Sequence, residues 1–236
     1  KTTRGTLTIV ADGMGGHASG EVASQMAVEL ISEFYYADLE NSVAGALQHS
    51  VQLANEQIFE TSISDEKYFG MGTTVIALVL LDKVGYAAHV GDSRLYRLRV
   101  GDFEQMTMDH SQVMEMFKQG IISWEETKNH DDKNGILRAV GTQKNVEVEV
   151  SEAFQVEPND EFLLCSDGLC DMLTDEEIYQ TWISATDIHE ASEKLIERAK
   201  ENGGHDNVTV AIVKVENEVL RGKAVPATRE LEVLTQ

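Results

Sequence analysis

Positive charge is scarce in this chain of 236 residues: 19 Lys+Arg stand against 41 Asp+Glu, a formal net charge of -22. Such a balance repels DNA, RNA and anionic lipid, which are recognised largely through Lys and Arg. Most of the excess keeps the surface solvated, and composition leaves open whether some carboxylates crowd around cations. Cysteine is nearly absent. Cys165 and Cys170 are the 2 in the chain, too few for a disulfide framework, which points to a reducing compartment and a cytoplasmic protein. With 2 prolines and a 42% hydrophobic fraction, extended disorder is excluded in favour of one packed domain or two small ones. No apolar run approaches the roughly 20 residues that span a bilayer, and no signal-peptide pattern opens the chain. An initiating Met is also lacking, since Lys1-Thr2-Thr3-Arg4 leads straight into an apolar run. Residues are therefore expected upstream.

What is present reads as strands and helices in separate blocks. Thr6–Ala11 alternates and stops at Asp12-Gly13, as a strand entering a turn. From Gly20 the spacing becomes helical, with Val22, Met26 and Leu30 on one stripe, and a second helix is predicted over Ser42–Ser62. Thr73–Leu81, Val84–Val90 and Arg94–Leu98 follow as strands, joined by turns short enough to imply an antiparallel meander. Phe162–Cys165 is a short apolar strand, helices are predicted over Asp175–Ile183 and Ile188–Lys200, and Asn207–Val215 closes the domain as a strand. This order implies an α+β layered fold. Residues 111–137, polar and broken with two short helical signals, suit a surface flap; residues 219–236 lose periodicity and read as a tail or linker after a domain spanning 1–218.

Three aspartates stand at strand ends: Asp12 before Gly13, Asp167 before Gly168, and Asp206 before the last strand. Asp at a strand end is also an ordinary turn former. Adjacent strands of one sheet would bring the three together, and carboxylates so crowded need cations between them. A donor set of Asp oxygens without paired Cys or His selects hard ions such as Mg²⁺ or Mn²⁺. Asp92, in Val90-Gly-Asp-Ser-Arg94, is a fourth aspartate in what reads locally as a plain hairpin turn, where Arg94 has the option of pairing with a neighbouring carboxylate. Asp12-Gly-Met-Gly-Gly-His17 packs three glycines between a strand and a helix, which lets backbone approach a small ligand closely.

Val10-Ala-Asp-Gly-Met-Gly-Gly-His17, Gly70-Met-Gly-Thr-Thr74, Val90-Gly-Asp-Ser-Arg94, Ser166-Asp-Gly-Leu169 and Asp206-Asn-Val-Thr209 occur in this order. Together they resemble the metal-dependent protein serine/threonine phosphatases, the type 2C or PPM family, in its bacterial form. The resemblance covers residues 6–215. It implies a four-layer αββα sandwich, two central antiparallel sheets flanked by helices, with two Mn²⁺ or Mg²⁺ ions at one end and a third, weaker one. By position, Asp12 looks like the ligand bridging both metals, with the Gly13 carbonyl on the second. Asp167 and Asp206 look like ligands of the first, and Asp92 with Asp167 resembles the pair holding the third. His130 sits where the flap of these enzymes approaches the site, although His130-Asp-Asp-Lys133 departs from the more usual His-Pro-x-Arg. The family's upstream Arg and Asn-Glu-Asp element has no counterpart here, and Arg4 reads as a surface residue. A segment missing upstream is preferred to true absence.

The implied reaction is hydrolysis of phosphoserine and phosphothreonine by direct attack of a metal-bridging water. Met14 takes the place of a His that eukaryotic members carry in the glycine loop, so proton donation to the leaving group falls to metal-bound water, with His17 and His130 as weaker candidates. Neither cysteine has an Arg six residues on, so both read as core thiols rather than nucleophiles. His89 alternates with Ala87 and Gly91 and reads as packed; His49 and His189 lie on predicted helices without partners; His205 is a turn residue or an orienting partner of Asp206. Thr73 and Thr74 either support the metal-site loops or belong simply to the sheet. Expected partners are phosphorylated proteins, substrates of a serine/threonine kinase, met by a monomer. A catalytically silent phosphatase-like binding domain is the alternative; a metal-dependent nuclease is opposed by the charge.

Overall fold

The computed structural model describes residues 3–14, 17–127, 130, 135–204 and 206–216, with backbone alone for His17 and Ala18. The predicted tail lies outside these residues. In chain order the strands and helices are β1 (Thr6–Val10), β2 (Gly13–Met14), α1 (His17–Ala37), α2 (Val43–Ser64), β3 (Gly72–Thr73), β4 (Val75–Leu81), β5 (Val84–Val90), β6 (Arg94–Arg99) and β7 (Asp102–Gln105). They continue with α3 (Gln112–Lys118), α4 (Trp124–Thr127), β8 (Glu149–Val150), β9 (Phe154–Gln155), β10 (Glu161–Cys165), α5 (Asp167–Cys170), α6 (Asp175–Ile183), α7 (Ile188–Glu201) and β11 (Val210–Lys214).

Two antiparallel sheets form the centre. One runs β1-β4-β5-β8, with β9 also pairing β5; the other runs β11-β10-β6-β7. The period-2 pattern of each strand divides its side chains between layers. Val75, Ala77 and Val79 of β4 join Ala23, Ala27 and Ile31 of α1 and Leu47, Val51 and Ala54 of α2 in one buried cluster. Their neighbours Ile76 and Leu78 turn the other way and meet Phe162 and Leu164 of β10 between the sheets. Leu163 and Cys165, alternating with those, pack under Ile178, Trp182, Ala191 and Leu195 of α6 and α7. Three cores separated by two sheets make the expected αββα sandwich.

Helix starts follow local chemistry. The Ser42 side chain accepts from Gly45 N–H at α2, and Thr174 and Glu177 close a reciprocal capping box at α6. Three expectations need correcting. The meander does not continue past β5: the chain crosses at Gly91-Asp92-Ser93 from the first sheet to the second, so β5 and β6 do not pair. The strand expected over Thr73–Leu81 is split at Thr74, because Thr73 pairs with Gly13 and Val140 while Thr74 N–H turns to the Asp12 carbonyl. Arg4 is buried, 7% exposed, and donates to the Asn41 and Asp38 carbonyls at the end of the domain where β1 begins.

Candidate metal centre

Asp12 follows β1 by two residues, and its main chain is gripped by the residues around β3. Its carbonyl accepts from Thr74 N–H at 2.8 Å and Thr73 Oγ1 at 2.9 Å, while its N–H donates to Thr74 Oγ1 at 3.1 Å. Thr74 Oγ1 in turn lies 2.7 Å from Ser93 Oγ, beside Asp92 in the inter-sheet crossover. Of the two readings of these threonines, the structure shows loop support. Gly13 pairs with Thr73 and packs so closely on Gly20 of α1 that a Cβ there would overlap the Gly20 carbonyl.

Asp167 opens the single turn of α5 directly after β10. The neighbouring Ser166 clips its loop to the segment carrying Asp206: Ser166 Oγ donates to the Asn207 carbonyl at 3.2 Å and accepts from Thr209 N–H at 3.0 Å. Gly168 has no room for a Cβ, which would meet the Asn207 carbonyl. The closing strand starts at Val210 rather than Asn207 because residues 207–209 are taken up by these contacts. Asp167 and Asp206 thus belong to one sheet and Asp12 to the other. Asp167 and Asp206 lie beside the ends of the adjacent strands β10 and β11, as expected, while Asp12 meets them across the sandwich from the other sheet.

The electrostatics show how near they are. Burial pushes the Asp12 carboxyl up to about 8, helped by the charge of Asp167, a hydrogen bond with Asp167, and the charges of Asp206 and Asp92. Asp92, 8% exposed, is pushed up to about 7 by burial first and then by Asp167 and Asp109. Burial also raises Asp167, with Asp206 and Asp171 adding to the rise and the Asp12 hydrogen bond opposing it. Asp206 is exposed. Oδ1 of Asp92 and Oδ1 of Asp167 are buried without a hydrogen-bond partner. Buried carboxylate oxygens normally have partners, so two orphans in one cluster call for cations.

His17 opens α1, but its side chain lies outside the described residues, as does His205. His130 is half-buried in the flap segment, and its charge lowers Glu126 as the smallest of several causes. The flap is pinned at its base by Gln112 N–H to the Gly135 carbonyl and Leu137 N–H to the His110 carbonyl, both 2.8 Å. His49 and His189 do have partners, Asp38 at 3.3 Å and Glu193 at 3.6 Å.

A second group that sequence reading missed joins His89, His110 and Glu149, whose possible ligand atoms lie within 4.8 Å of one another. The rings stack at 4.4 Å, which is the packed role expected of His89. Gly91 N–H donates to His110 Nδ1 at 3.2 Å, so the ring proton sits on Nε2 and points at Glu149, 3.2 Å away. A metal-binding His normally donates from its second nitrogen; here that nitrogen accepts. The group is therefore structural. His110 N–H also donates to the Gly91 carbonyl at 2.9 Å, closing a two-bond clamp on the residue before Asp92. Adjacency in the motifs marked Ser93 and Ser166; nothing in the sequence marked His110.

Arg94 forks onto Asp109, with Nε 2.9 Å from Oδ1 and Nη2 2.7 Å from Oδ2, as one of its sequence readings allowed. Beside this pair a cavity of about 520 Å³ opens between the α3–α4 flap and the α5–α6 segment, with Asp92 and Asp167 in its wall. Cys165 is fully buried, and Cys170 packs against the same core while also lining this cavity, its sulfur 3.4 Å from Cys165 Sγ. Among the described residues no helix is long and apolar enough to cross a membrane.

The sequence model of the family described as Protein phosphatase 2C matches residues 1–202. A serine/threonine phosphatase named stp from Listeria monocytogenes is 39% identical over 212 residues, 88% of this chain and 84% of that protein. The crystal structure of the Mycobacterium tuberculosis serine/threonine phosphatase PstP/Ppp superposes with a TM-score of 0.83 at 35% identity, covering 89% of this chain and 88% of that one. The catalytic domain of a phosphatase named PstP, in complex with two manganese ions, gives 0.75 at 33% identity, with 89% and 88% covered.

Proposed function

The chain belongs to the protein phosphatase 2C family of serine/threonine phosphatases, and from that premise we propose that its activity depends on Mn²⁺ or Mg²⁺ held by Asp12, Asp167 and Asp206. The observation that carries this reading is the pair of orphaned buried oxygens on Asp92 and Asp167, next to an Asp12 that burial and three carboxylates hold protonated near neutrality. An all-oxygen set of crowded carboxylates fits hard divalent cations. Asp12 would bridge two ions, the Gly13 carbonyl would complete the second, and Asp92 with Asp167 would take a third. Such ions supply the charge that acidifies a water nucleophile and neutralises phosphoryl oxygens.

The chain's own residues do the rest. Thr73, Thr74 and Ser93 fix the Asp12 backbone against the Asp92 crossover, and Ser166 fixes Asp167 against the Asp206 loop, so that carboxylates from two sheets keep one geometry. Neither Cys165 nor Cys170 has an Arg six residues on to cradle a phosphate, so no covalent cysteine route is proposed. His17 and His130 stay as candidates to protonate the departing serine or threonine oxygen. Substrates are taken to be phosphoproteins made by a serine/threonine kinase and met by a cytoplasmic monomer, with residues 1–218 as the catalytic domain. A phosphothreonine peptide should release phosphate with Mn²⁺, and both EDTA and Asp167→Asn should abolish release. Turnover that survives both would remove the metal from the mechanism.

A further inference from the structure

The cavity beside the metal centre has a composition that the hydrolysis of a phosphate ester does not require. On the flap side it is walled by Val113, Met114 and Trp124, and on the other by the start of α6, with Asp175 and Glu176. Among the described residues its one cation, Arg94, forks onto Asp109. Asp92 and Asp167 at its inner end have orphaned oxygens and are assigned above to the metals. Asp175 and Glu176 have no such assignment. Acidic residues in a first helical turn often serve only the helix dipole, but the cap of α6 is closed by Thr174 and Glu177 alone. Asp175, with its side chain 46% exposed, accepts a hydrogen bond from Tyr96 at 2.9 Å and pairs with Arg94 at 3.9 Å. Glu176 is exposed and accepts from the neutral Gln180. Among the described residues Glu176 has no ion pair, and the one cation paired with Asp175 is shared with Asp109.

We propose that this cavity seats the substrate residues flanking the phosphoserine or phosphothreonine, and that it selects a Lys or Arg against Asp175 and Glu176 beside an apolar residue against Met114 and Trp124. The inference rests on the reacting phosphate being held at the aspartate cluster, which opens into this cavity. Charge complementarity decides the occupant: a carboxylate wall with an apolar opposite face suits a basic peptide and repels an acidic one. Nucleic acid is disfavoured for the same reason.

The test compares phosphothreonine peptides identical except for Arg, Ala or Glu placed in turn at each position flanking the phosphothreonine, using the 236-residue chain with Mn²⁺ at low ionic strength. Glu176→Lys and Asp175→Asn are assayed alongside, and p-nitrophenyl phosphate, which has no flanking residues, serves as reference substrate. At one or more positions kcat/KM should fall from Arg to Ala to Glu by about threefold per step, as for exposed ion pairs, and the spread should shrink with salt. Glu176→Lys should flatten the order, since its charge cancels that of Asp175, while p-nitrophenyl phosphate turnover stays unchanged. Equal rates for Arg and Glu peptides at every position, or an order that Glu176→Lys leaves intact, with the reference substrate still turned over, would overturn this inference alone. Failure of the reference substrate as well would take the metal-centre assignment with it.

Discussion

At Asp12, burial and three neighbouring carboxylates act in one direction, and stability should register it. An unfolded Asp titrates near 3.8, while folded Asp12 and Asp92 are held at about 8 and about 7. Asp12 and Asp92 therefore bind more protons folded than unfolded between about pH 4 and pH 8, and the stability they contribute falls as pH rises through that window. Thermal melts of metal-free protein should show this contribution, set against the opposite one of His89 and His110, which burial lowers. Asp12→Asn should flatten the carboxylate contribution and be the more stable protein at pH 8, and Mn²⁺ should raise the melting temperature of the wild type more at pH 8 than at pH 5, since cations compete with protons. A difference in metal-free melting temperature between wild type and variant that stays constant over this range would contradict the assignment. Residues also set the limit of what the sequence disclosed. The aspartates and their strand-end positions were legible, because Asp-Gly after an apolar run is a local signal. Arg4 and His110 were not: the burial of Arg4 against the Asp38 and Asn41 carbonyls, and the clamp of His110 on Gly91, are made by partners distant in sequence.

Among the elements, the contact between α5 and the Asp206 loop is where geometry is tightest. Gly168→Ala would push a methyl into the Asn207 carbonyl, and overpacking of this kind costs about 1–3 kcal/mol. Urea denaturation should show that loss together with weaker Mn²⁺ binding, because the strain falls between the two carboxylates proposed to share an ion. Unchanged stability and unchanged Mn²⁺ affinity would mean that the loops are not held as described. Elements with a strong period, such as β5 over Val84–Val90 and α6 over Asp175–Ile183, have the bounds their sequences predict. The crossover at 91–93 was misread for a physical reason. Gly91, with φ of 105°, suits a turn equally well whether the next strand rejoins the same sheet or passes to the other. Only the second sheet's side chains, Leu95 among them, decide that, by packing against Ile76 and Leu78. The short strands β8 and β9 carried no periodicity to read.

For the whole molecule, the sandwich explains why the aspartates converge at one end. β1 delivers Asp12 from one sheet, β10 and the loop before β11 deliver Asp167 and Asp206 from the other, and the crossover delivers Asp92 between them. The net charge of -22 is thus mostly solvated surface, with a small share concentrated where cations and a basic substrate would be attracted. The central claim is that this convergence is a metal centre. Crystals grown without divalent ions and soaked in MnCl₂, with anomalous scattering measured at the manganese edge, test it directly. The account predicts peaks bounded by the carboxylates of Asp12, Asp167 and Asp206 and the Gly13 carbonyl, and none at His89, His110 and Glu149. Manganese at the histidine group, or none among the four aspartates, would contradict it.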